Sequence, residues 1–215
     1  MFYKKSSVLI VDDLPEIRIP FVIILKRLGF SVRHAADGFS ALLDMRVEQP
    51  DILICSLKMK GMSGLELLSI VRRRYSETLV IATSDSYLDT SLQAGVPADA
   101  YHAKANGPNH LVELVQQFRQ SRPTCAMRDC VPTWIDEEAQ TVSAKGQVVI
   151  LFPECLRVTA APVSDGISPF RKAVCLHCAN LISYALVPAS ELLFPIRPQS
   201  EGETELKHSL EAYVQ

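Results

Sequence analysis

Over the first 120 residues, apolar side chains come in short unbroken bursts, and between the bursts they recur at helical spacing. SVLIV (7–11), DILIC (51–55) and TLVIAT (78–83) read as strands covered on both faces. SVRHA (31–35) and ADAYHA (98–103) bring the strands to five. Helical spacing runs through PEIRIPFVIILKRLGF (15–30), GFSALLDMRVEQ (38–49), GLELLSIVRRRY (64–75), SYLDTSLQAG (86–95) and PNHLVELVQQFRQ (108–120). The first helix opens on Pro15 and stops at Gly29, and Pro20 predicts an irregularity in its first turns. Five strand–helix units predict an α/β fold, a doubly wound parallel sheet with helices on both faces. Such sheets bind ligands at the carboxyl ends of their strands, near the switch in strand order.

After residue 121 the rhythm changes. We divide the chain into a first domain (1–121), a polar, proline-containing linker (122–133), a small β-rich module (134–197) and a polar tail (198–215). TWIDEEAQTVSAKGQVVILF (133–152) holds two strand-like runs with a turn near Ala144–Gly146, and ANLISYAL (179–186) reads as another strand. In the tail, Leu206, Leu210 and Val214 give ETELKHSLEAYV the spacing of a short amphipathic helix, with a frayed end as the alternative.

Composition narrows the classes. The chain has 215 residues, 48% hydrophobic and 21% charged, with a formal charge of −2. That balance supplies no global field for nucleic acid or anionic lipid. No apolar run approaches the ~18 residues of a membrane span, and MFYKKSSVLIVDD lacks a signal-peptide core. The expectation is a cytoplasmic protein. From residue 125 onward there are seven basic residues against eleven acids, so the second half lacks the basic face of a DNA-binding module.

The strand ends carry the chemistry. Asp12 and Asp13 follow the first strand, Ser56 the third, Thr83 the fourth and Lys104 the fifth. Paired carboxylates suit Mg²⁺, while a hydroxyl and an ammonium suit phosphate oxygens. The alternative is that the two aspartates only cap the first helix.

With VLIVDD, PDILIC, LKMKGMSG, LVIAT and DAYHAK in these places, residues 6–121 resemble the receiver domain of bacterial response regulators, the CheY-like fold of two-component signalling and phosphorelays. The resemblance implies strand order 2-1-3-4-5. It assigns the acidic pair to Mg²⁺, an aspartate phosphoacceptor to the position after the third strand, and a hydroxyl and a lysine to Thr83 and Lys104. It makes Tyr101 the aromatic that reports the switch.

Four positions depart from that pattern. Ser56 stands where the phosphoacceptor belongs, and a serine without an adjacent base is a poor nucleophile. Lys58 falls where the family uses a backbone carbonyl for the cation. Lys60 and Ala105 replace prolines, the second at a peptide that is cis in the family. A non-proline cis bond costs about 2.5–4 kcal/mol, so a trans bond and a reshaped loop are expected. Mg²⁺ binding is therefore expected to be weak or absent. Either Lys58 or Lys104 places its ammonium between Asp12 and Asp13 in place of the metal, or Lys58 points into solvent.

Five of the six cysteines lie beyond residue 121. Cys175 and Cys178 form a C-x₂-C pair, and Cys155 stands twenty positions before Cys175, in FPEC. Three of the four positions of a zinc-ribbon pattern are thus filled, and Phe152 takes the fourth. The module resembles a degenerate zinc ribbon, with Cys130 or Cys125 as fourth ligand of a structural Zn²⁺. His177, inside the knuckle, is the poorer candidate. The alternative is that no metal binds and the cysteines are small buried apolar groups.

No nucleophile–base pair suggests an enzyme. The expected function is an atypical response regulator acting by protein contact without aspartyl phosphorylation. Its partner would be a sensor kinase, another regulator or itself, a homodimer forming through the fourth helix, fifth strand and fifth helix, a face that includes Tyr101. A DNA-binding transcriptional regulator with a divergent output domain is the alternative, since 134–155 resembles the β-platform that opens winged-helix outputs.

Overall fold

The computed structural model describes residues 6–85, 97–119, 133–136, 147–162 and 170–187. Five strands, β1 (Ser7–Val11), β2 (Ser31–Ala35), β3 (Ile52–Ser56), β4 (Leu79–Ser84) and β5 (Ala100–Ala103), form one parallel sheet in the order β2-β1-β3-β4-β5. Every residue of β1, β3 and β4 is buried, whereas the edge strand β2 alternates, as their sequences predict.

Alternate residues of the central strands feed two cores. Val8, Ile10, Ile52 and Ile54 pack with Val22 and Leu25 of α1 (Pro15–Arg27) and with Leu111 and Val115 of α4 (Gly107–Phe118). Leu9, Val11, Leu53 and Cys55 face the other way, onto α2 (Gly38–Val47) and α3 (Gly64–Arg74). Pro20 does not disturb the first turns; α1 runs through it without a break. Asp37 caps α2 by accepting the Ser40 N–H at 2.8 Å, and Ser63 caps α3 by accepting the Glu66 N–H at 3.2 Å. Gly64 opens α3 against the end of β3, where a Cβ would lie 2.0 Å from the Ser56 carbonyl oxygen. Only glycine allows the helix to start that close. The predicted helix at 86–95 lies outside the described residues, as do Cys125, Cys130 and the tail.

Beyond the sheet, β6 (Thr133–Asp136), β9 (Phe170–Val174) and β10 (Leu181–Val187) form a three-stranded sheet in the order β6-β10-β9. The β10 strand runs parallel to β6 and antiparallel to β9. A hairpin pairs β7 (Gln147–Leu151) with β8 (Val158–Pro162). The two runs predicted on either side of Ala144–Gly146 are therefore both strands, but they belong to different sheets and do not pair with each other. β6 pairs instead with the distant β10, which a turn signal cannot reveal, and β7 pairs with β8 across the following turn.

The β-rich part packs on α3. Leu151 and Ala185 join the core built by α2 and α3, and the Arg74 guanidinium donates to the carbonyls of Pro153 (3.2 Å) and Glu154. As a result nearly all of α3 is buried, including Glu66, Ser69 and Arg72. Arg72 is held by Asp99 at 2.6 Å and by the Pro97 carbonyl at 2.9 Å.

Candidate functional site

Strand geometry brings the predicted residues together at the carboxyl rim. Asp12 follows β1, Ser56 ends β3, Thr83 lies in β4 and Lys104 follows β5, and all but Lys104 are buried. The Lys104 ammonium lies 3.0 Å from Asp12 Oδ2, 3.2 Å from Asp85 Oδ1 and 3.4 Å from the Ser56 hydroxyl. Its proton is held more tightly than usual. Burial works against the charge, but the hydrogen bonds and attraction of Asp12 and Asp85 outweigh it.

Two expectations are corrected. The Lys104 ammonium bridges Asp12 to Asp85 rather than lying between Asp12 and Asp13. Lys58 is exposed. Asp13 instead accepts the Lys60 N–H at 3.3 Å. The two aspartates are not caps of α1 either, because its N-cap is Leu14 and has no side-chain cap bond. Asp12 Oδ1 takes the Leu14 N–H at 2.9 Å, ahead of the helix. Every peptide bond of the described residues is trans, including Lys104–Ala105, and the chain after β5 turns through a 3₁₀ segment, Lys104–Asn106.

These contacts test the Mg²⁺ site that the resemblance implies. Both Asp12 oxygens and one Asp13 oxygen are already engaged, and Ser56 donates its hydroxyl to the Lys58 carbonyl at 3.2 Å. That carbonyl is the one the cation would use. The donor set does not fit a divalent ion, since one carboxylate is missing and a fixed ammonium sits on another.

Sequence reasoning missed three groups here. Arg18, one to two turns into α1 and facing back, is buried and donates to the Asp12 carbonyl. Asp85 lies just past the end of β4. His102 is buried next to Lys104, its Nδ1 3.0 Å from that of His110, with the rings stacked. Arg18, Thr83, His102 and Lys104 line one small cleft under Asp12. The six-residue step from Asp12 to Arg18 was the available signal for Arg18. Nothing local pairs His102 with His110. Tyr101 lies half-buried against the α2/α3 core.

The matching family model is the response regulator receiver domain, over residues 8–116. The chain belongs to that family. Its receiver is similar to the Vibrio cholerae chemotaxis protein CheY4, with 28% identity, a TM-score of 0.50, and coverage of 54% of this chain and 99% of that one. Across a longer span it resembles the sensory transduction protein RegX3 of Mycobacterium tuberculosis, 29% identical over 153 residues, 68% of this chain and 67% of that protein. The DNA-binding response regulator MtrA of Mycolicibacterium smegmatis is 28% identical over 152 residues, 69% of this chain and 67% of that one. Both alignments reach past the receiver match. The expectation that nucleic acid is disfavoured, drawn from charge alone, gains no support from the second.

The β-rich part carries a second cluster. The turn joining β7 to β8 holds Cys155, and the turn joining β9 to β10 holds Cys175 and Cys178. Their three sulfurs lie within 4.8 Å of one another, Cys155 and Cys175 at 3.6 Å. Burial pushes the Cys175 thiol up, but N–H groups of Cys178 and His177 and the neighbouring thiols outweigh this and bring it to about 7. The His177 N–H lies 3.3 Å from that sulfur. The His177 ring is exposed, with Nδ1 3.4 Å from the Arg157 guanidinium. Phe152 is fully buried in the core of the β-rich part. Among the described residues no helix is long and apolar enough to cross a membrane.

Proposed function

We infer that this response regulator works in two-component signalling as a pseudo-receiver, a cytoplasmic protein that acts through protein contact without aspartyl phosphorylation. The observation that carries the reading is the Lys104 ammonium held between Asp12, Asp85 and the Ser56 hydroxyl. In a phosphorylated receiver a lysine and a hydroxyl at these positions would be free to meet an incoming phosphoryl group, and a carboxylate would accept it. Here the acceptor is a hydroxyl with no base beside it, its hydrogen bonded to the Lys58 carbonyl. The partner would be a sensor kinase, another regulator or a second copy. For a homodimer the face is that of the predicted fourth helix (86–95), which lies outside the described residues, with β5, α4 and Tyr101.

In this reading residues 1–121 are the receiver and 134–197 a zinc-ribbon-like module joined by the linker 122–133. Two hairpin turns presenting three thiols to one point support the ribbon comparison.

Intact-mass analysis tests the central claim. After incubation with acetyl phosphate and Mg²⁺ the native chain should gain no phosphoryl group, and a gain of one would sink the reading. A second reading, DNA-binding output, draws on the MtrA alignment. Retarded migration of DNA fragments by purified protein at moderate salt would favour it.

A further inference from the structure

The two hairpin turns superpose residue for residue in their hydrogen bonding. In the first, the Phe152 N–H donates to the Arg157 carbonyl (3.0 Å) and the Leu156 N–H to the Phe152 carbonyl (2.8 Å). In the second, the Cys175 N–H donates to the Asn180 carbonyl (2.9 Å) and the Ala179 N–H to the Cys175 carbonyl (3.0 Å). Leu156 (φ 53°) and Ala179 (φ 58°) both take the left-handed conformation immediately after a cysteine. These are the only two non-glycine residues with positive φ among those described. The correspondence is therefore Phe152 with Cys175 and Cys155 with Cys178. Phe152 occupies the one position of the paired turns that has no sulfur, and its ring is part of the core against which Cys155 and Cys178 pack.

We propose that Cys155, Cys175 and Cys178 form a three-thiolate site for a soft cation that needs no fourth protein ligand, Cu(I) in preference to Zn²⁺. Metal–sulfur bonds of about 2.3 Å put the sulfurs of a three- or four-fold set about 3.8–4.0 Å apart. The cluster already lies near that spacing, at 3.6 Å for Cys155–Cys175 and within 4.8 Å for all pairs. Zn²⁺ in a structural site takes four ligands, and the turn position that corresponds to Cys175 is Phe152, whose ring has no donor. Thiolates suit both ions, but Cu(I) is satisfied by three of them. His177 does not complete the set, because its ring faces Arg157 at the surface. The inference rests on the zinc-ribbon-like reading of the module, which supplies the pairing of the turns.

Titration of the untagged, reduced full chain under anaerobic conditions, with Cu(I) and Zn²⁺ each against a chromophoric chelator, tests it. One Cu(I) per chain is expected. Replacing any one of Cys155, Cys175 or Cys178 by Ser should weaken Cu(I) roughly 100-fold, with circular dichroism showing that the variant is folded. The double variant Cys125→Ser, Cys130→Ser should bind Cu(I) within about threefold of the native chain. Phe152→Cys should supply the fourth sulfur and raise Zn²⁺ affinity roughly 100-fold. Loss of binding in the Cys125/Cys130 variant would overturn the three-thiolate site, as would Zn²⁺ outcompeting Cu(I) in the native chain. If the native chain takes neither ion but Phe152→Cys takes Zn²⁺, the three-thiolate site falls and the ribbon reading stands. If neither protein binds metal, both fall.

Discussion

At the receiver rim and in the paired turns, the backbone frame is complete and one side chain of the expected set is different. At the rim, Ser56 ends β3, and the Lys104 ammonium lies against the remaining carboxylate of Asp12 at 3.0 Å. In the turns, Phe152 takes the odd position, and its ring is part of the apolar core against which Cys155 and Cys178 pack. The difference follows from what each site is left with. A charged carboxylate is costly to bury unless it is paired, and in the pseudo-receiver reading the Lys104 ammonium is the partner of Asp12. A cysteine packs as a small apolar group, so a turn that loses one can fill the space with a ring and keep the others. In the pseudo-receiver reading an ion pair closes the first site, and in the proposed three-thiolate site the second keeps three sulfurs for a metal.

The largest effect should come from undoing that ion pair. Lys104→Met leaves Asp12, 3% exposed, without its ammonium. Breaking such a buried pair costs about 3–5 kcal/mol, and here Arg18 and Asp85 stay in place. Urea denaturation should show a loss of about 3 kcal/mol at pH 7. Adding Asp12→Asn should recover most of it, because the orphaned charge is gone. A loss below about 1 kcal/mol would mean that Asp12 is satisfied by something other than Lys104, and the contrast between the two sites would break. A matching cost is not expected from any single cysteine in the metal-free chain.

A comparable effect sharpens the same contrast through pH. Burial, with His110 and Lys104 as nearby positive groups, pulls His102 down to about 4 from the usual 6.5. The unfolded chain therefore takes up the proton first as pH falls. Stability is intact above about 6.5 and declines as pH drops toward 4, by roughly 3 kcal/mol if the whole shift is expressed. Thermal melts across that window should show the decline, and His102→Gln should flatten it. An equally steep decline in the variant would assign the pH dependence to the carboxylates instead.

How much of this could be read beforehand depends on the range of the contacts. The sheet was legible because β1, β3 and β4 are apolar runs whose neighbours in sequence are helices of ordinary length. The rim was legible because each of its residues sits at the end of a strand. What escaped was any pairing set by packing between distant elements. Asp85 and Lys104 meet across β4 and β5, and His102 meets His110 across a loop. The burial of α3 needed the β-rich part to fold over it, through Arg74 and the carbonyls of Pro153 and Glu154. In the second half, the cysteine spacing was informative and the strand pairing was not, since β6 joins β10 some fifty residues later.

The smallest predicted effect separates the two turns from each other. Leu156 and Ala179 hold the same left-handed backbone, at a cost of about 1 kcal/mol each for a residue with a Cβ. Glycine removes that cost, although it also loosens the unfolded chain. Ala179 is exposed, so Ala179→Gly gives up no packing. It should gain a few tenths to 1 kcal/mol, a rise in melting temperature of about 1–3 °C. Leu156 is different because its side chain packs against the α2/α3 core, where Arg74 also fastens the turn. Leu156→Gly should therefore show no gain and a net loss, the lost contacts outweighing the relieved backbone. If both variants gained stability, Leu156 would not be anchoring the module to α3. If neither did, the shared left-handed residues would not be strained, and their match between the turns would owe nothing to a retained metal-binding frame.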